Sequence, residues 1–255
     1  MLVALREGIA VATRHLSAQD YVQDGLVAMW DGIENAGWGV HDPDATTWKD
    51  LVGGIDLTVN LNTAKNGSRR YRWTANSLHN YFSGGNQNAS GAYAYGGDTA
   101  SVPAIVSFEY VFNVNGSFTT AAGWVALYRG GQWSEIQPDK NRGHVSFAYG
   151  KPAYPSSATT FAGPRSFCVQ YASATSLNID SVYLDGVRCT LGSTGWPARH
   201  TLSHAIMLGY SSNLNSGYSC PIGDCFACRV YNRRLSVAEV ESNHDVDKVR
   251  FELPS

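Results

Sequence analysis

From residue 26 to residue 231 the chain repeats one motif: short runs in which apolar and polar positions alternate with period two. LVAMW (26–30), DLTVN (56–60), GWVALYRG (123–130), GHVSFAYG (143–150), RSFCVQYAS (165–173), HAIMLGY (204–210) and CFACRVY (225–231) are such runs, each bounded by Gly, Pro, Asn or Ser. That period is the signature of β-strands, whose successive side chains point to opposite faces. The longest run, AIVSFEYVFNV (104–114), sets Ile105, Ser107, Glu109 and Val111 against Val106, Phe108, Tyr110 and Phe112. SVYLDGVRCTL (181–191) predicts a hairpin, because Asp185-Gly186 between two alternating arms is a strong two-residue turn signal. Turns at intervals of about a dozen residues, with no βαβ alternation, predict an all-β sandwich or barrel rather than a parallel sheet.

Two segments depart from the pattern. In residues 1–22, Leu2, Leu5, Ile9, Ala12 and Leu16 recur at near-helical spacing with Gly8 the one breaker. They predict an N-terminal arm outside the sandwich, which is either a plain extension or a contact to a neighbouring subunit. Near the other end, Ser236 and Glu239 form a capping box at the start of a short helix, with Val237, Val240 and His244 facing inward. No repeat or linker divides residues 23–255, which read as one domain.

Composition narrows the functional classes. The chain is 44% hydrophobic but only 16% charged, against about 25% charged in ordinary soluble domains. Its surface must therefore be covered by Ser, Thr, Asn, Gly and Tyr, a habit of β-rich extracellular and virion proteins. Net charge is −2 and no Lys/Arg run appears, which argues against nucleic acid as a partner. No stretch approaches the roughly 18 apolar residues of a membrane helix. Arg6 and Glu7 interrupt the apolar start, so no signal peptide is recognisable.

The five cysteines are read as mostly free, buried thiols, with Cys168–Cys189 and Cys220–Cys225 the pairs open to disulfide formation. Cys220, Cys225 and Cys228 have zinc-like spacing, but strand alternation puts Cys225 and Cys228 on opposite faces. His200 and His204 stand four apart on a strand-like segment, too far apart to share a metal.

The ending, GDCFACRVYNRRLSVAEVESNHDVDKVRF (223–251), resembles the closing segment of laminin-G-like jelly rolls in the concanavalin A-like lectin/glucanase superfamily. Val230, Tyr231, Asn232, Arg233, Leu235, Ser236 and Glu239 fill the places of that family's strand, turn and helix. SVYLDGVR and LGYSSN (208–213) are similar to the family's penultimate hairpin and the strand after it. GLVAMWDGIENAGWG with TTWKDLVGGIDLT resembles its opening. The family usually carries an acidic pair before the last alternating strand, where this chain has Asp224-Cys225-Phe226. The resemblance implies a two-sheet antiparallel concanavalin A-like jelly-roll sandwich with an N-terminal arm and a short C-terminal helix.

It also implies where chemistry should lie. The superfamily's glucanases place two carboxylates about 5 Å apart on one strand. Here the nearest match, Glu135 and Asp139, is broken by Pro138, and Glu109 has no acidic neighbour two or four residues away. The chain is therefore expected not to be an enzyme but a non-catalytic carbohydrate-binding or adhesion module on a phage virion or bacterial surface. The alternative is a capsid or tail decoration protein that holds neighbouring subunits and binds no glycan. Laminin-G-like domains often hold calcium, for which Asp42 and Asp44, flanked by Asp31 and Asp50, are the candidates; Asp-Pro-Asp is also ordinary turn chemistry. Trp30, Trp48, Trp73 and Trp124 fall in strand patterns and read as core. Trp38, Trp133 and Trp196 in turn-like stretches, with Tyr93 and Tyr95 in the polar loop 81–97, are the candidate glycan contacts.

Overall fold

The computed structural model describes residues 16–59, 71–80, 94–95, 106–114, 125–129, 132–139, 144–147, 151–154, 163–173, 176–191, 205–208 and 223–254. In chain order the strands are β1 (Leu26–Asp31), β2 (Thr47–Trp48), β3 (Leu57–Val59), β4 (Tyr71–Trp73), β5 (Leu78–Asn80), β6 (Ala94–Tyr95), β7 (Ser107–Val114), β8 (Val125–Arg129) and β9 (Gln132–Asp139). There follow β10 (His144–Phe147), β11 (Lys151–Tyr154), β12 (Pro164–Ser173), β13 (Ser176–Leu184), β14 (Val187–Arg188), β15 (Thr190–Leu191), β16 (Ala205–Leu208) and β17 (Gly223–Tyr231). A single α-helix among the described residues, α1 (Val237–Phe251), closes the chain.

These strands make two antiparallel sheets. The first runs β14-β13-β12-β7-β17-β5-β4, with β1 beside β17 next to β5. The second runs β15-β11-β10-β9-β8-β16-β6-β3-β2. The core lies between them. Phe108, Tyr110 and Phe112 of β7, Phe167 and Val169 of β12, and Trp30 of β1 meet Trp48, Leu57 and Val59 from the second sheet. Trp48 and Trp73 stack edge to face across the sandwich, with ring centroids 5.0 Å apart. Each buried indole N–H finds a carbonyl: Trp30 donates to Ile55, Trp48 to Asp31 and Trp73 to Ala45. The expected core tryptophans 30, 48 and 73 are thus in place; Trp124 lies outside the described residues.

The hairpin forms at Asp185-Gly186, both with positive φ (51° and 75°), the backbone a two-residue turn between twisted strands requires. The capping box also forms: Ser236 Oγ accepts from the Glu239 N–H while the Glu239 carboxylate accepts from the Ser236 N–H. Val240 is buried and His244 half-buried as expected, but Val237 is 51% exposed, because α1 turns that position to solvent.

Two expectations need correction. Residues 16–22, read as part of an external arm, are packed into the domain: Ala18 and Tyr21 are buried with Leu26, Met29, Tyr231 and Val246. The Val22 N–H donates to Asn243, and the Tyr21 hydroxyl to Asp247. Residues 1–15 lie outside the described part. The second correction concerns β17. A β-bulge between Cys225 and Ala227 shifts its register against β7, so Phe226 and Ala227 both face outward, packing with Phe251. Cys225 and Cys228 therefore lie on the same, inner face of the strand.

Candidate functional site

Under α1, the outer face of the first sheet carries a buried ionic network. Arg229, with 1% of its side chain exposed, donates through Nε to Glu109 (2.7 Å) and through both terminal nitrogens to Asp247 (2.8 and 2.7 Å). The guanidinium lies 3.9 Å from the Tyr21 ring centroid. Asn243 donates to Glu109 and to the Tyr231 hydroxyl. Beside it, Arg250 pairs with Asp31 and Glu34, and Glu34 accepts from the Ala18 and Gly39 N–H groups. Burial pushes the Glu109 and Asp31 carboxyls above their ordinary range, with the facing arginines pulling the other way. This network clamps the helix and residues 16–22 to the sheet. Every charged member is paired within the protein, and the adjoining cavity, lined by Ser166, His244 and Cys168, has room for about one water molecule. Its chemistry is structural.

The loop 32–46 brings together three residues nominated from sequence. Trp38 is 43% exposed beside exposed Val40. The loop holds its shape through the Val40 N–H to Gly37 bond and through the Asn35 amide, which donates to the Asp42 carbonyl and accepts from its N–H. Asp42 accepts from the Asp44 N–H, an Asx turn. Asp50 is taken up by the N–H groups of Met29, Val52 and Ile55, and Asp31 by those of Ile33 and Glu34 together with Arg250. Among the described residues no group of three or more His, Cys, Asp or Glu is gathered for a metal ion.

The cysteine expectations also change. Cys168, Cys189 and Cys225 are free, so neither open pairing forms a disulfide. The bulge removes the opposite-face objection to zinc at Cys225 and Cys228. Both are instead buried thiols in the core, with burial raising their pKa well above the usual range. Cys220, His200 and His204 lie outside the described residues.

The second sheet presents the other candidate. In β3, Leu57 and Val59 are buried and Thr58 is exposed, which fixes the inner and outer faces. Antiparallel register then carries the outer face across the sheet: Thr58 opposes Tyr95, Tyr95 opposes Met207, Met207 opposes Ala126, and Ala126 opposes Glu135. Tyr128 opposes Trp133 one pair further along. Alternation along β9 puts Trp133, Glu135, Gln137 and Asp139 on this face, with Ser146 and His144 opposite the last two. The complementary register line is Val59, Ala94, Leu208, Val125, Ile136 and Phe147, apolar throughout.

Trp133 and Tyr95 were expected in loops and instead lie in strands β9 and β6. The gain is that both fall on one face. The four-residue separation of Glu135 and Asp139 spans about 13 Å along a strand, beyond the roughly 5–9.5 Å of a glycosidase pair. Tyr128 and Gln137 escaped sequence reading; strand register, which sequence alone does not set, is what brings them to the face. Tyr93 and Trp196 lie outside the described residues. Among the described residues, α1 and the 16–22 segment pack on the other sheet.

No known family pattern matches the chain, and no curated protein matches it. Solved structures do. Trypanosoma rangeli sialidase in complex with 2,3-difluorosialic acid superposes with a TM-score of 0.58 at 17% identity, over 89% of this chain and 33% of that one. The same sialidase in complex with sialic acid gives 0.59 at 16%, over 89% and 34%. Domain 4 of AbnA, an extracellular arabinanase from Geobacillus stearothermophilus, in complex with arabinotriose, gives 0.49 at 12%, over 87% and 97%. The chain spans about a third of the length of the sialidases it matches. At these identities the likeness to the sialidases establishes the fold alone. It also overturns the expectation that the chain is not an enzyme, because proteins named as sialidases carry this fold and lack of a glucanase strand motif does not exclude other catalysis.

Proposed function

We propose that this chain is a carbohydrate-recognition domain whose ligand lies across the outer face of the second sheet. One observation carries the reading: strand register puts Tyr95, Tyr128 and Trp133 on the same face as Glu135, Gln137 and Asp139. Sugars are bound by flat rings stacked on their apolar faces, with a few polar groups fixing orientation, and this face combines both kinds of residue. From β6 to β9 is three strand spacings, roughly 14–15 Å, room for an oligosaccharide rather than a single ring. The sialidase structures, solved with sugar ligands, support the same class of partner.

The sequence resemblance of residues 223–251 supports placing the domain among laminin-G-like jelly rolls of the concanavalin A-like superfamily. The low charge content fits display on a virion or bacterial surface. The structural-decoration alternative loses part of its support, since residues 16–22 are occupied within their own chain.

A glycan array of the purified protein, followed by Trp133→Ala, Tyr95→Ala and Trp38→Ala variants, tests the reading. Selective binding that survives Trp38→Ala and is lost with Trp133→Ala is the expected result. A silent array, or binding indifferent to Trp133 and Tyr95, refutes it.

A further inference from the structure

Independently of what the second sheet binds, we propose that His244 is an acid-operated latch. It holds α1 onto β12 and the β13–β14 hairpin at neutral pH and lets that seam open in acid. α1 is fastened to the first sheet in two places. One is the arginine network, in which Arg229 takes Glu109 and Asp247. The other is His244, half-buried on the side of α1 that meets the hairpin. Its Nδ1 lies 2.6 Å from the Ser166 hydroxyl of β12. Its ring rests on the backbone of the turn: a Cβ on Gly186 would come within 3.3 Å of Cδ2. Cys168 and Tyr183 line the cavity at this seam, which has room for about one water molecule.

A neutral ring suits the seam. The Ser166 O–H can then donate to Nδ1, whereas a protonated ring offers no acceptor and brings a charge that one water cannot solvate. The carboxylates around it are engaged by other partners. Asp185 of the hairpin is taken by Arg165 and the Ser166 N–H, Asp247 by Arg229 and the Tyr21 hydroxyl, Asp245 by Lys248, and Glu109 by Arg229 and Asn243. Lys248, one turn along α1, adds like charge, and Arg188, opposite Tyr183 in β14, is exposed. Cys168 is kept protonated by burial. Burial also holds the His244 pKa below its ordinary value, with Asp185 and Asp247 opposing. The latch is therefore intact above the ordinary histidine range. It is lost as pH falls through that range toward the lowered folded-state value.

Labelling with dithiodipyridine, which reads thiol access in acid as well as at neutrality, tests this in the Cys220→Ser background. Each labelled site is located by peptide mass spectrometry. Native rates are divided by those of the urea-unfolded protein at the same pH, which cancels the thiol's own chemistry. Cys168 lies at the seam and should become severalfold more accessible between pH 7.5 and pH 5, while Cys225 and Cys228 in the core stay protected. In His244→Gln, which can keep a bond to Ser166 but takes up no proton, Cys168 should be equally protected at both pH values. In the wild-type protein, the His244 imidazole followed by NMR should titrate over the pH span in which Cys168 opens, a check that needs no variant. Unchanged access at Cys168, an equal acid response in His244→Gln, an opening that does not track the His244 titration, or exposure of the core thiols together with Cys168 overturns the latch.

Discussion

Replacing Arg229 with methionine is the sharpest perturbation of this fold. The guanidinium is the shared counter-ion of Glu109 and Asp247, held by three charge-assisted bonds of 2.7–2.8 Å in a site closed to solvent. Methionine fills much of the same volume but leaves two carboxylates facing each other beneath α1, with Tyr21 and Asn243 the remaining donors. Breaking a buried pair in this way costs about 3–5 kcal/mol, a large part of the roughly 5–15 kcal/mol that holds a domain folded. The loss also has a pH signature. Burial already raises the Glu109 pKa, and Arg229 opposes that rise. Without the arginine the folded-state pKa climbs further, so the variant's folded state is favoured at low pH and loses stability as pH rises through that value. Urea unfolding followed by tryptophan fluorescence should show the full deficit at pH 7.5 and a clearly smaller one at pH 5. Arg229→Met/Glu109→Gln/Asp247→Asn, which removes the stranded charges, should recover most of it. A deficit below about 1 kcal/mol, or one equal at both pH values, would refute the account.

Two further outcomes follow from the same structure. Arg233 and the Ser236 N–H hold the Glu239 carboxyl down to about 2; Glu239→Gln should cost about 1 kcal/mol at pH 7, the ion pair being partly solvent-screened. That contribution is present above the ordinary carboxyl range and fades as pH falls towards 2, so wild-type and variant melts should converge in acid; a constant gap would count against it. In a Cys220→Ser background, the four remaining thiols are free and buried, and Ellman's reagent should titrate them only after unfolding in urea; prompt reaction in native buffer would contradict that burial.

How much could be read from sequence depended on whether a strand has one wet face. In β3 the alternation Leu57-Thr58-Val59 announces its own orientation, and the Asp185-Gly186 turn and the Ser236–Glu239 box are local chemistry that needs no tertiary context. β17 is different. Both of its faces are covered, one by the core and the other by α1 and residues 16–22, so apolar residues appear at every phase and nothing marks the slip at Phe226. Trp133 was misplaced for a related reason: flanked by Gly130, Gly131 and Gln132 and followed by polar residues, it has the composition of a turn. That is also the composition of a strand whose outer face meets solvent. The buried arginine was beyond sequence reading, since its partners are 120 and 18 residues away.

The bulge in β17 acts as a parity switch. Upstream of it Asp224 faces outward with Cys225 inward; downstream, after two consecutive outward residues, Arg229 faces outward with Cys228 and Val230 inward. Deleting either Phe226 or Ala227 would remove the extra residue and leave plain alternation, with Cys225, Cys228 and Val230 still inward and Arg229 still outward. Straightening the strand without that deletion would reverse the phase and drive a guanidinium into the aromatic interior. Homologues should carry either the bulge or a regular strand one residue shorter between Cys225 and Arg229.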